Sequence, residues 1–295
     1  MNLTLPSVVR FTFLGTGTSA GIPAIGCDCE VCVSPDPRDR RLRTAAALRF
    51  RDATGVERVI LLDAGPDLRQ QALSANLRRC DAVLFTHNHV DHTFGVDELR
   101  RFNAVMGAPI DIHASEHTLA HLRRVYQHIF DRDRNVNDTF VATLIPHRLE
   151  ASRPVSIHGA RLTPIPLLHG RLPVLGFRIE SDLPGSSAIL PLAYCTDVSG
   201  IPPEAWPLFR GVRTLVLDCL RHRKHPTHLT LDEAVTLAGR IGAERTWFVH
   251  MSHDLAHEAT NAGLPSGMAL AHDGLTIPLP PPGPKVDEPD PRDPS

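Results

Sequence analysis

No apolar run in this 295-residue sequence approaches the ~18 residues a transmembrane helix requires. The opening stretch, MNLTLPSVVRFTF, lacks the charged segment followed by an apolar one that marks a secretory leader. Neither sign of charge dominates: 31 Lys and Arg stand against 33 Asp and Glu, a formal net charge of −2 at pH 7. The two signs are mixed along the chain, and without a basic stripe broad nucleic-acid binding is not expected. There is no internal repeat. These absences point to a cytoplasmic, reducing setting with no membrane partner. There, six cysteines read as metal ligands or thiols rather than disulfides. Tyrosine and tryptophan are scarce, at two each, whereas histidine occurs 17 times. Histidine is the commonest metal ligand near neutral pH, so its placement along the chain decides what the protein can do.

Short apolar runs separated by turn residues read as strands: Val9–Leu14, Ala46–Phe50, Val59–Leu62, Ala82–Phe85, Ile110–Ile112, Leu162–Leu168, Leu175–Ile179, Ala188–Tyr194, Thr214–Leu217 and Thr246–Val249. Helical periodicity falls at Asp67–Ala75, Gly95–Val105, Ser115–Ile129, Leu231–Ile241 and Leu255–Ala262. The interleaving predicts a layered α/β domain over residues 1–278, with helices outside a strand-rich core. Residues 279–295 follow as a proline-rich tail, expected to be extended because proline at that density supports neither helix nor ladder.

The strongest signal is AVLFTHNHVDHTFG. An apolar strand ends at Thr86, and His87, His89, Asp91 and His92 follow within six positions. His87 and His89 can face one centre while Asp91 and His92 face another, a spacing that suits two metals ~3.5–4 Å apart. The same pattern, an ionisable residue leaving an apolar run, recurs at His169, Asp197 and His250. Asp197 is the natural bridge, because a carboxylate offers one oxygen to each ion. A second cluster, GCDCEVC, places Cys27, Cys29 and Cys32 within six positions. Cys80, Cys195 and Cys219 stand singly in or beside apolar runs and read as core residues.

The motifs FLGTGTSAGIP, LLDAG, THNHVDH, LLHG, YCTD and FVHMSH together resemble the metallo-β-lactamase superfamily, across nearly everything from Arg10 to Gly274. The resemblance implies a four-layer αββα sandwich with a dinuclear metal site on one edge. By that match His87, His89 and His169 hold one divalent ion, and Asp91, His92 and His250 the other. Asp197 bridges them, and Asp63 orients the histidine loop from behind. GTGTSAGIPAIGCDCEVC, HPTH and HMSH are similar, more narrowly, to PhnP-type phosphodiesterases, which hydrolyse a ribosyl 1,2-cyclic phosphate. This implies that Cys27, Cys29, Cys32 and His253 hold a structural zinc away from the catalytic manganese or zinc pair.

His228, in RHRKHPTHLTLDEA, matches the family position beside the scissile phosphate. The function expected is therefore hydrolysis of a small cyclic phosphodiester such as phosphoribosyl 1,2-cyclic phosphate. A water bridging the metals attacks, Asp91 can take its proton, and His228 protonates the departing ribose oxygen. Thr230 reads as a helix N-cap with Glu233 completing a capping box. Arg221, Arg223 and Lys224 could meet a phosphate, although such a charge run is more often solvated. A homodimer is compatible with the sequence.

A transfer-RNA 3′ endonuclease shares the motifs, but no glycine occurs between Gly107 and Gly159 to build its flexible RNA-holding arm. A thioester or nucleotide hydrolase of the same fold, or an inert zinc-stabilised binding protein, are the remaining alternatives. His113, His117, His121, His128, His147, His158, His257 and His272 show no ligand-like spacing. The segment 114–137 lies between the two halves of the metal motif and reads as a packed helix or a cap over the pocket.

Overall fold

The computed structural model describes residues 9–131, 133, 140–182 and 187–278. The proline-rich tail lies outside the described residues.

Two seven-stranded sheets form the centre. The first contains β1 (Arg10–Gly15), β2 (Ala45–Arg51), β3 (Glu57–Leu62), β4 (Ala82–Leu84), β5 (Ile110–Ala114) and β6 (Leu144–Arg148). The second contains β7 (Val155–Ile157), β8 (Ala160–His169), β9 (Leu172–Ser181), β10 (Leu192–Cys195), β11 (Thr214–Asp218), β12 (Arg245–Val249) and β13 (Met268–Leu270). The last strand, β14 (Thr276–Ile277), returns to the first sheet beside β1. The orders are β14-β1-β2-β3-β4-β5-β6 and β13-β12-β11-β10-β9-β8-β7.

Strand alternation sorts the apolar side chains into three cores. In β3, Ile60 and Leu62 face the second sheet, where they join Phe11, Leu162, Phe177 and Val216. Val59 and Leu61 face outward and pack under Leu68 of α1 (Leu68–Ser74), Phe102 of α3 (Leu99–Met106) and Leu119 of α4 (Glu116–Val125). On the far side Leu215 and Leu217 pack under Ala234, Leu237 and Ala238 of α6 (Leu231–Ile241). Two sheets with helices on both outer faces make the αββα sandwich. Each fully buried Leu, Ile or Phe contributes about 1.5–3 kcal/mol to holding these layers together.

Helix α6 starts at a complete capping box: Glu233 N donates to Thr230 Oγ1 at 3.2 Å and Thr230 N to Glu233 Oε2 at 3.0 Å. It stops at Gly242, whose φ of 72° is the left-handed conformation glycine adopts without penalty. The predicted helix over 115–129 is interrupted at Tyr126. There α4 ends and α5 (Gln127–Phe130) begins, and Tyr126 OH donates to Thr93 O at 3.0 Å.

Four strands have no counterpart among the predicted runs: β6, β7, β13 and β14. They are the four sheet edges. Edge strands are short and half solvated and lack the continuous apolar signature of interior strands. In β6, four of five residues are exposed.

Strand direction places the functional edge. β3, β4, β5 and β6 run parallel, as do β10, β11, β12 and β13. β8 is antiparallel to β9, which is antiparallel to β10, so β8 runs with β10. The carboxyl ends of β3, β4, β8, β10, β11 and β12 therefore open on one rim.

At that rim two glycines allow backbone to meet backbone. A Cβ on Gly65 would lie 2.0 Å from Asp91 O, and one on Gly95 would lie 2.1 Å from Gly65 O. The contact is sealed by Ala64 N donating to His92 O at 2.9 Å and Gly95 N to Ala64 O at 2.8 Å. Gly95→Ala should cost about 3 kcal/mol, the upper end of overpacking penalties, because the obstacle is a carbonyl rather than a mobile side chain. Urea unfolding should show a lower midpoint with an unchanged slope. A midpoint equal to wild type would mean that the loop yields freely.

Candidate metal centre

Four residues of the histidine pattern, and with them Asp63, sit just beyond, or at, a strand's carboxyl end, while His89, Asp91 and His92 lie at or in the one-turn helix Val90–Thr93. Asp63 follows β3, His87 follows β4, His169 closes β8, Asp197 follows β10 and His250 follows β12. Three of them, Asp63, Asp197 and His250, have φ of 64°, 57° and 62°. A left-handed non-glycine residue costs of order 1–3 kcal/mol and persists only where its surroundings over-determine it. Here the conformation turns the chain at the strand end and delivers a side chain inward.

The side chains converge. His87, His89 and His169 have ligand atoms within 4.8 Å of one another, as do Asp91, His92 and His250, and as do His87, His92 and Asp197. Asp197 lies between the triplets: Oδ2 is 3.2 Å from His92 Nε2, and Oδ1 is 3.3 Å from His250 Nε2 and 4.0 Å from His87 Nε2. All of these except His89 are nearly closed to solvent; His89 is exposed.

In His87, His92 and His169 the outer ring nitrogens are satisfied from behind, which fixes their tautomers. His92 Nδ1 donates to Asp63 Oδ2 at 2.8 Å, His169 Nδ1 to Thr227 O at 2.8 Å, and His87 Nδ1 to Thr86 Oγ1 at 2.9 Å. Thr86 Oγ1 in turn donates to Asp63, which also accepts from Thr86 N at 2.8 Å. The inner atoms are left over. His87 Nε2, His92 Nε2 and His250 Nε2 are buried without a hydrogen-bond partner among the described residues.

Charge makes the same demand. Asp63, Asp91, Asp197 and Asp218 are 0–9% exposed, and no lysine or arginine among the described residues pairs with any of them. Burial would push the Asp197 carboxyl up, but His250 and His92 outweigh it and hold it well below the usual range. Burial likewise works against charge on His92, yet Asp197, Asp63 and Asp91 raise its affinity for a proton well above the ordinary imidazole value. A cavity of carboxylates that draws protons onto histidine is one that divalent cations fit.

The cysteine cluster lies apart from this rim. Cys27, Cys29, Cys32 and His253 offer four ligand atoms within 4.8 Å. His253 Nδ1 is 3.3 Å from Cys27 Sγ and 3.5 Å from Cys32 Sγ. A zinc tetrahedron with legs of about 2.3 Å to sulfur and about 2.0 Å to nitrogen has sulfur–nitrogen edges of about 3.5 Å, so the spacing fits. Ala24 N donates to Cys32 Sγ at 3.4 Å. The cluster is joined to the rim by the turn that carries His250 and His253. Buried Arg41 pins that turn, donating to Ser252 O at 2.8 Å and to Leu255 O, and pairing with Asp39 at 3.1 Å.

Residues 58–251 match the family described as the beta-lactamase superfamily domain. The chain belongs to this family. A solved diphosphatase of the PhnP family is 39% identical, with a TM-score of 0.79 over 91% of this chain and 96% of that one. Zinc-bound PqqB from Methylobacterium extorquens shares the fold at 21% identity and a TM-score of 0.71, covering 92% of this chain and all of that one. An octanoyltransferase from Porphyromonas gingivalis is 32% identical over 269 residues, 90% of this chain and 51% of that protein. The chain spans about half the length, or less, of several of the curated relatives it matches. It thus has the metallo-β-lactamase fold, with a histidine–aspartate site suited to divalent metal.

In this superfamily member His228 also reaches the rim. Its Nε2 is 4.0 Å from Asp197 Oδ1, and its ring stacks on His250 with centroids 4.6 Å apart. Its Nδ1 donates to Asp218 Oδ1 at 2.9 Å, and Asp218 Oδ2 accepts from Leu229 N at 2.9 Å. Asp218 is absent from the residues singled out by sequence, although it ends the apolar run Thr214–Leu217 by the same pattern that marks His169 and His250. The neighbouring charge run folds back on itself. Arg221 donates to Arg223 O and Lys224 O, and Lys224 pairs with Glu233.

No helix among the described residues is long and apolar enough to cross a membrane.

Proposed function

We propose that the protein is a dinuclear metal-dependent phosphodiesterase that opens a small cyclic phosphodiester of the phosphoribosyl 1,2-cyclic phosphate class. The observation that carries this reading is the His228–Asp218 pair beside the two ligand triplets. Each triplet and Asp197 can serve an ion without His228, so this ring is free for proton chemistry.

Two divalent cations, manganese or zinc, would supply charge to the phosphate oxygens and lower the pKa of a water toward neutrality. His87, His89 and His169 would hold one, Asp91, His92 and His250 the other, with Asp197 between them. Asp63 keeps His92 and Thr86 in register behind them. Asp91 takes the proton from the attacking water. The bond from phosphorus to the ribose oxygen breaks, and His228 delivers a proton from Nε2 to that oxygen. Asp218 keeps the ring aimed throughout. The products are a phosphomonoester and a free hydroxyl. Cys27, Cys29, Cys32 and His253 would hold a zinc whose role is structural.

A second reading, hydrolysis of a diphosphate, is favoured by the diphosphatase activity named for the PhnP-family relative. The departing phosphate needs no proton there, so one variant separates the two. His228→Ala should lower turnover of a ribosyl 1,2-cyclic phosphate by ~10²–10⁴. It should lower turnover of bis(p-nitrophenyl) phosphate much less, because nitrophenolate leaves unprotonated. Bound metal should stay at the wild-type level. Efficient turnover of a diphosphate with no turnover of the cyclic ester would replace the first reading by the second. Equal loss on both phosphodiesters with metal retained would assign His228 to phosphate positioning.

A further inference from the structure

One cluster of ionisable side chains has no part in the rim. β5 and β6 pair in parallel with His113 opposite His147, and Asp111 lies two residues before His113. Residues two apart on a strand share a face, so sheet pairing brings together groups separated by 36 positions in sequence. This is why spacing alone gave no sign of them. The rings of His113 and His147 stack with centroids 4.6 Å apart and planes 16° from parallel. His147 Nε2 donates to Asp111 Oδ1 at 2.8 Å. One ligand atom from each of the three lies within 4.8 Å of the other two.

His113 is the unexplained member. It is 8% exposed, and neither of its ring nitrogens has a hydrogen-bond partner among the described residues. A buried polar atom left unmet costs about 1–3 kcal/mol. Burial, and then the neighbouring His147, pushes its pKa down to about 4, so at neutral pH its lone pair is open without displacing a proton.

We propose that Asp111, His113 and His147 form a third divalent-cation site, of the zinc class, distinct from the rim and from the cysteine cluster. Two imidazoles and a carboxylate are a donor set for zinc that leaves a coordination position open to water. Its place in the fold says what it does. Among the described residues β6 is an edge strand paired with β5 alone, and it is exposed along most of its length. An ion shared by His113 and His147 ties that edge to the sheet. It also closes the base of the excursion that carries α4 and α5, a clip of the kind that gains from long loops.

The test uses the full-length chain and zinc alone as probe. Wild type, His147→Ala and Asp111→Asn are dialysed against buffered micromolar free zinc, and zinc per chain is measured by elemental analysis. Both variants should hold one zinc fewer than wild type and keep wild-type phosphodiester hydrolysis. The zinc-dependent rise in Tm of the wild type should shrink in both. His147 is 44% exposed at its side chain, so its replacement does not threaten folding. Equal zinc content and an equal zinc-dependent Tm shift in all three proteins would overturn the proposal and leave an ordinary Asp111–His147 surface pair. Loss of hydrolysis together with the zinc would also overturn it, by assigning the ion to the rim.

Discussion

Asp197→Asn should reduce turnover by about 10³-fold or more, equivalent to about 4 kcal/mol of transition-state stabilisation, while leaving the fold in place. Asparagine is the informative replacement. Asp197 has a φ of 57°, a conformation that asparagine tolerates better than alanine. Its amide keeps the shape and the contact with Thr196 Oγ1, which lies 2.7 Å from Asp197 Oδ2. What it removes is the negative charge shared between His92 on one side and His250 on the other. Metal content should fall with activity, and the melting temperature in chelator should stay near that of chelated wild type. Retained turnover in Asp197→Asn would remove Asp197 as the bridge and shift the centre of the site toward Asp91.

Cys29→Ser should act in the opposite manner, on stability first. The segment carrying the cysteines has little core of its own. Its buried apolar residues are Ile22, Val31 and Cys32, and its regular structure is one short 3-10 turn at Pro37–Asp39. An ion held by three thiolates and His253 would therefore contribute folding energy directly. Losing one ligand should cost several kcal/mol, and at about 2–4 °C per kcal/mol for a chain of this size Tm should fall by ~10 °C. Chelator should lower wild-type Tm by a similar amount and add little to the fall in the variant. Hydrolysis should weaken only secondarily, through the turn shared by His250 and His253. Wild-type Tm and zinc content in Cys29→Ser would take the cluster out of folding altogether.

The two variants probe sites that are near neighbours in sequence at one point only, where His250 faces the rim and His253 faces the thiols. Arg41 makes that turn rigid, because its guanidinium is buried and its partners are two carbonyls of the turn and Asp39. The Asp39 carboxylate also accepts from His257 N at 2.8 Å. Nothing in the residue pattern marks Arg41. An arginine between two short apolar runs reads as surface, and its role exists only once the opening loop and the His250 turn are packed together.

The residues that converge at the rim were legible in the sequence because the signal is local. An apolar run followed at once by a histidine or aspartate reports a strand whose end carries a functional group, and it marked His87, His169, Asp197 and His250. Applied without exception it would also have marked Asp218. The interior strands and the capping box at Thr230 were legible for the same reason, since periodicity and caps are properties of a few consecutive residues. The four edge strands were not, because their half-solvated side chains carry no continuous apolar run. Which strand ends share a rim, that Asp218 stands behind His228, and that His113 meets His147 were decided by the tertiary structure alone. Those contacts depend on strand order and parallel sense, set by the packing of distant segments, and no stretch of the sequence short enough to show a pattern contains both partners.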